Sequence, residues 1–176
     1  GGPYMDRNVK YVFLSSIEYL GELFASVYRS YGYDAVAAPS TTKTNIALGK
    51  GDCSGKECLS YQFVWGAFKE YLMNNASADK KEIRLMQISG RMCRAGMFGI
   101  KDRLSIDRMK QENLIDSSND ITVSALKIAG GAVMTMRLIA GLTALDIVRQ
   151  LYAYNLTVEE RPGSSESAYH KYSEMI

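Results

Sequence analysis

Short extended runs and longer helical patterns alternate along this chain. Apolar runs rich in β-branched and aromatic residues predict strands at 9–14, 34–38, 82–88 and 121–126. Apolar residues three or four positions apart predict helices at about 17–31, 59–73, 97–112 and 128–154, with short helices near 43–48 and in the C-terminal tail. Strands that alternate with helices favour an α/β fold with a doubly wound, mostly parallel sheet.

The ends of two helices carry recognisable signals. Ser15 followed three residues later by Glu18 resembles a capping box, and Gly32 is a suitable residue to end the same helix. In the long helical pattern at 128–154, glycines at 130, 131 and 141 are predicted weak points. One set of its apolar residues is expected to face a core: Leu138, Leu142, Leu145, Ile147, Val148 and Leu151.

All three cysteines lie in two glycine-rich segments, 48–61 and 89–99. Cys53 and Cys58 form a Cys-x4-Cys pair, and Cys93 stands in the second segment. Both segments come where a strand pattern gives way to a helix, so both belong to the edge of the sheet where α/β folds bind ligands. Cys58 immediately precedes a helical pattern, where the helix dipole favours a thiolate. Three thiolates can hold an iron–sulfur cluster that has one open or externally filled position.

Other interpretations of these segments stay open. The cysteines are also compatible with ordinary buried thiols, and zinc held by the three cysteines and His170 is a weaker alternative. The glycines around Lys56 do not complete a phosphate-binding loop, because Glu57 stands where a hydroxyl residue is required. Lys56, Arg91 and Arg94 offer positive charge to a cluster or an anionic substrate, and ordinary solvated surface charge explains them equally well. Residues 41–43 are candidates for a ligand contact.

Length and charge narrow the class of protein. The 176 residues and 47% apolar content fit one α/β domain over residues 1–176, and the start at Gly1 suggests excision from a larger multidomain protein. A net charge of +2 argues against binding nucleic acid through phosphate neutralisation. No run of about 18 apolar residues is apparent, so we expect no membrane contact, and no signal peptide is visible. The odd number of cysteines favours a reducing, cytoplasmic setting.

Four stretches of the chain resemble the 2-hydroxyacyl-CoA dehydratase superfamily. Residues 55–72, GKECLSYQFVWGAFKEYL, are similar to its G-K-E-C-x-P segment, and residues 89–104, SGRMCRAGMFGIKDRL, to its S-G-P-C-R-x-G-Q-Y segment. Residues 29–39 and 144–172 resemble its strand entry and its closing stretch. The resemblance is closer to the C-terminal region of large CoA-substrate-specific enzyme activases. The chain departs from the pattern at Ser60, at 91–92, at 97–98 and at Gly163, while the cysteines stay in place.

The resemblance implies a three-layer, flavodoxin-like fold and a [4Fe-4S] or double-cubane cluster, which an isolated fragment can lose. Carried over, Cys58 and Cys93 match cluster cysteines, and Cys53 is the candidate third ligand. The implied partners are a neighbouring α/β domain and an ATP-hydrolysing activator of the actin-like fold, and a dimer stays open. The implied function is relay of low-potential electrons within a dehydratase or activase system, with no complete active site in this chain.

Two further hypotheses remain beside this one. The first is a cluster-free structural or interaction domain that docks to a partner domain. The second is binding of an acyl-CoA at the strand ends.

Overall fold

The computed structural model describes residues 5–15, 17–76, 82–87, 98–126 and 130–176, with the backbone alone at residue 98. The chain divides into two compact units, Gly1–Ala129 and Gly130–Ile176, and each is described by itself. The single domain expected over residues 1–176 stays a prediction.

The first unit alternates strands and helices. In chain order its elements are β1 (Val9–Phe13), α1 (Leu20–Ser30), β2 (Asp34–Ala37), α2 (Lys43–Gly51), α3 (Leu59–Asn75), β3 (Glu82–Gln87), α4 (Phe98–Gln111) and β4 (Ile121–Ala125). The four strands pair in the order β2-β1-β3-β4, and all the pairs are parallel. Parallel crossovers are right-handed. The β1-to-β2 connection runs one way across the sheet and the β2-to-β3 and β3-to-β4 connections run the other way, so their helices lie on opposite faces. The predicted doubly wound, flavodoxin-like α/β fold is therefore confirmed.

The side chains of β1 alternate between the two faces of this sheet. Tyr11 and Phe13 point to an aromatic cluster with Phe24 and Tyr28 of α1, in which the Phe13 and Tyr28 ring centroids are 4.7 Å apart. Val12 belongs to the core on the other face, which includes Trp65, Phe68 and Leu72 of α3 and Ile106 and Met109 of α4. Burial on both faces explains why β1 consists almost entirely of large apolar residues.

The predicted start of the first helix is wrong. α1 begins at Leu20, and its N-cap residue is Tyr19, in the left-handed conformation with φ of 64° and with no side-chain cap. The Ser15 and Glu18 pair therefore forms no capping box at this helix. Its predicted end is confirmed, because Gly32 has φ of 80° and donates its backbone N–H to Arg29 O.

The second unit contains α5 (Gly131–Asn155) and α6 (Ser164–Ser173). The rings of Tyr152 and Tyr169 stack between them, with centroids 4.7 Å apart. α5 runs unbroken through Gly141, so no break occurs there. Leu138 and Leu145 are buried as predicted, but Ile147 and Leu151 are 52% and 55% exposed, so their predicted place in a core is wrong.

α5 also differs from the expectation that no segment could span a membrane. Its best 18-residue window has a mean hydropathy of 1.5, and only 17% of that window is buried. By length and composition alone, this one helix among the described residues is apolar enough to cross a bilayer.

Candidate functional site

Three polar side chains from different elements meet where β3 ends. Tyr61 lies in the first turn of α3, Gln87 is the last residue of β3, and Asp102 lies near the start of α4. The Tyr61 hydroxyl donates to Oδ1 of Asp102 at 2.9 Å, and Nε2 of Gln87 donates to Oδ2. This contact puts the N-terminal ends of α3 and α4 at the carboxyl edge of β3, which is the ligand-binding edge of doubly wound folds.

Asp102 is the acidic residue of this cluster, and its pKa lies above the ordinary value for a carboxyl group. Only 1% of the residue is exposed, and burial raises the pKa of its carboxyl group to about 6. The hydrogen bonds from Tyr61 and Gln87 and the charge of Lys101 act in the opposite direction but do not cancel the effect of burial. Burial also raises the pKa of Tyr61, and the Asp102 charge raises it further. Tyr61 therefore remains a hydrogen-bond donor, while Asp102 changes its charge in mildly acidic solution.

Cys53 and Cys58 bracket a short loop between α2 and α3. Cys53 directly follows Asp52, the C-cap residue of α2. Cys58 is the N-cap residue of α3, as the sequence predicted, and its carbonyl oxygen accepts the backbone N–H of Tyr61 at 3.0 Å. Because Tyr61 is fixed at the end of β3, Cys58 lies at the same edge of the sheet.

The two thiols have different surroundings. Cys58 is exposed, whereas Cys53 is partly buried and packs against the core. The Cys53 thiol donates to the carbonyl oxygen of Gly49, with an Sγ–O distance of 3.2 Å. Burial raises the pKa of the Cys53 thiol; Lys101 lowers it, and the charges of Asp52 and Cys58 raise it. In this arrangement Cys53 is a neutral hydrogen-bond donor.

An ion pair attaches the cysteine loop to α4. The Lys101 ammonium contacts the Glu57 carboxylate, and it also lies 5.3 Å from the centroid of the Tyr61 ring. Glu57 accepts the backbone N–H of Ser54 at 2.8 Å, so the same carboxylate shapes the loop itself. The loop is thus held between α3 and α4 by charged groups that are mostly shielded from water.

The glycine content of the first cysteine segment has a packing explanation. A Cβ atom on Gly49 would lie 2.0 Å from the Gln62 carbonyl oxygen, and one on Gly66 would lie 1.8 Å from the Asn45 carbonyl oxygen. α2 and α3 therefore cross closely at these two glycines. Asp52 reinforces the crossing, since it accepts from Trp65 Nε1 at 2.6 Å and from Lys69 Nζ at 2.8 Å.

The structure describes only part of the predicted site. Cys93, Arg91 and Arg94 lie outside the described residues, and within the ranges that are described no three His, Cys, Asp or Glu side chains are grouped as a metal site requires. Lys56 is exposed. Thr42 forms a reciprocal capping box with Asn45 at the start of α2, which is a structural role for one of the residues at 41–43. His170 lies in α6 of the second unit, beside Tyr169.

The sequence interpretation missed the polar cluster beneath the cysteine loop. It assigned Tyr61 to the apolar face of a helix and did not single out Gln87, Lys101 or Asp102. The available signal was a glutamine directly after the apolar residues Leu85 and Met86, because a buried amide needs polar partners.

A separate cavity of about 380 Å³ lies at the carboxyl ends of β1 and β2. Its wall includes Ser15, Glu18, Tyr19, Ala38, Pro39 and Ser40. It contains none of the site residues that the sequence predicted.

No family model, curated protein or solved structure matches this chain. The resemblance to the 2-hydroxyacyl-CoA dehydratase superfamily therefore stays a prediction.

Proposed function

We propose that this chain is an iron–sulfur electron-transfer domain of a dehydratase- or activase-like protein. Cys53, Cys58 and Cys93 would supply three thiolate ligands for a [4Fe-4S] or double-cubane cluster. The observation that carries the proposal is the contact of Tyr61, Gln87 and Asp102, because it joins the start of α3, the end of β3 and the start of α4.

That contact limits where Cys93 can lie, because Gln87 precedes Cys93 in sequence and Asp102 follows it. Gln87 and α4 flank residues 88–97, and both adjoin the turn of α3 that follows Cys58. The proposal requires Cys93 to reach the cysteine loop. Six residues of extended chain from Gln87 allow a reach of up to about 20 Å.

The two described thiols suit different parts of a cluster site. Cys58 is exposed at the N-terminus of α3, where an incoming cluster can reach it. Cys53 must lose the proton that it donates to Gly49, and burial opposes that loss. A bound cation provides the compensating charge, since metal ligation deprotonates a thiol. Lys101 adds positive charge beside Cys53.

When bound, the cluster would supply a one-electron carrier of low potential. The chain's own contribution would be to hold the ligands and limit access of water, which Glu57 and Lys101 do by tying the loop to α4. The partners that go with this proposal are a neighbouring α/β domain and an ATP-hydrolysing activator, and the proposed location is the cytoplasm.

Anaerobic reconstitution with ferrous iron and sulfide tests the proposal. We expect about four irons per cluster and a broad visible absorption. Cys58→Ser and Cys93→Ser should each abolish iron uptake, while Ser60→Ala, an exposed position on the same turn as Cys58, is the matched control and should retain it. A chain that folds but stays colourless and iron-free contradicts the proposal.

One observation favours a second candidate function, a cluster-free structural or interaction domain. Cys53 already has a satisfied hydrogen bond and packs against the core, as a structural cysteine does. In that case Cys53→Ala should lower the free energy of unfolding. The unaltered chain and all the cysteine variants should then take up no iron.

A further inference from the structure

α5 carries a second apolar stripe opposite the side on which Met134, Leu138 and Leu145 are buried. The stripe follows the heptad spacing of helices that pair with one another. One set of positions recurs every seventh residue, and the second set lies three residues after each of the first. We call these residues the heptad seam: Val133, Met136, Ala140, Thr143, Ile147, Gln150 and Tyr154.

Every residue of the heptad seam is exposed. Met136 and Tyr154 are 68% and 66% exposed, and a contiguous stripe of exposed large side chains of this kind marks an interaction surface. Two faces of one helix are thus apolar: one carries the buried Met134, Leu138 and Leu145, and the other is the exposed heptad seam. The other face has the pattern of an interface.

The polar side chains of the seam can be buried in an interface without losing all their hydrogen bonds. The Thr143 hydroxyl donates to the Ile139 carbonyl oxygen at 2.9 Å, and Nε2 of Gln150 donates to Asp146 at 2.8 Å. Both groups therefore keep a hydrogen bond within their own helix when a partner covers them.

Charges beside the seam favour a protein partner over a lipid bilayer. Arg137 and Asp146 stand at the positions that flank a heptad seam, where charged residues remain in water as helices pair. A bilayer would instead have to take up Arg137, Asp146 and Arg149 within one 25-residue helix, which is costly. Apolar composition alone therefore does not make α5 a membrane span.

The exposed area matches what a dimer requires. Six large apolar side chains on and beside the seam are each more than half exposed: Val133, Met136, Ile139, Ile147, Leu151 and Tyr154. At roughly 100 Å² each, they offer about 600 Å² per copy and about 1,200 Å² for a pair, the lower end of the range for specific interfaces.

We propose that the heptad seam of α5 pairs with the same seam of a second copy of this chain. The interface is self-complementary, because each copy presents the same stripe of side chains. The small side chain of Ala140 within the seam lets the two helices approach closely there, and the larger Met136 and Ile147 fill the space on either side. This inference is independent of iron binding.

Analytical ultracentrifugation tests the proposal on the whole chain over a dilution series from about 1 to about 100 μM. We expect a species of twice the 19.6 kDa chain mass at the upper end of the series. The double variant Met136→Glu/Ile147→Glu should raise the dimer Kd at least about 100-fold, because pairing would bury unpaired carboxylates. Arg149→Gln changes charge on the same helix away from the seam, and it should leave the Kd unchanged.

Far-UV circular dichroism confirms that each variant is folded, and the dilution series of the unaltered chain tests dimer formation without any variant. A chain that stays monomeric throughout the series overturns the proposal. A dimer that the seam substitutions leave intact also overturns it. The last arm measures binding of the chain to vesicles of phosphatidylcholine and phosphatidylglycerol. A monomer that binds these vesicles, and loses binding on Met136→Glu/Ile147→Glu, would show that the seam contacts lipid and would overturn the dimer.

Discussion

Replacing Asp102 with asparagine should remove a specific pH dependence from the stability of this protein. The carboxyl group is 1% exposed and is held by Tyr61 and Gln87. Asparagine has nearly the same shape and carries no charge at any pH. Its oxygen can accept from Tyr61, and Gln87 can turn its amide so that its own oxygen accepts from the new amide group.

The expected change in the free energy of unfolding follows from the raised pKa of Asp102. Burial raises the pKa of Asp102 from 3.8 to about 6, and each pKa unit corresponds to about 1.4 kcal/mol, so the full effect is about 3 kcal/mol. The folded chain binds this proton more tightly than the unfolded chain does. The contribution to the free energy of unfolding is therefore fully present below pH 3.8 and is lost as pH rises through about 6.

Urea denaturation at several pH values from about 4 to about 7 measures this effect. The stability of Asp102→Asn minus that of the unaltered chain should increase by up to about 3 kcal/mol across that range. Asp107→Asn makes the same chemical change at an exposed position of α4 and is the matched control. A difference that is constant with pH, or that falls as pH rises, would refute the reasoning from burial.

Two other substitutions test the packing that holds the cysteine loop. Gly66→Ala should destabilise the fold by about 2 kcal/mol in urea denaturation, because its Cβ would meet the Asn45 carbonyl oxygen at 1.8 Å, whereas Gly51→Ala, with nothing within 4 Å, should have little effect. Equal midpoints for the two variants would contradict a close crossing of α2 and α3. Thr42→Ala should cost about 1 kcal/mol by the same assay through loss of the N-cap at α2, and the exposed Thr44→Ala is its control.

Local patterns were sufficient to predict the elements of the first unit and the place of Cys58. β1 and α3 are apolar with a clear period, and a period depends only on residues near one another in sequence. The alternation of strands and helices then restricts the sheet to a parallel, doubly wound arrangement, since right-handed crossovers exclude most alternatives. The carboxyl edge as the location of the cysteine loop follows from the same rule.

Local patterns failed where several residues could satisfy the same rule. Ser15 and Glu18 have the spacing of a capping box, but the chain turns into α1 only after Tyr19. On α5, the periodicity could not choose which apolar stripe is buried, and Ile147 and Leu151 proved to be exposed. A helical period shows that a face is apolar but does not identify what covers it.

Residue patterns alone therefore established the α/β class, the order of its elements and the helix-start position of Cys58. Packing was needed to bring Tyr61 to Asp102, 41 residues later, and Gln87 to Asp102 across 15 residues. It also decided that Lys101 pairs with Glu57, 44 residues earlier. The physical reason is that a buried polar group selects its partners from whatever the packed elements bring within hydrogen-bond distance, and separation along the chain carries no information about that distance.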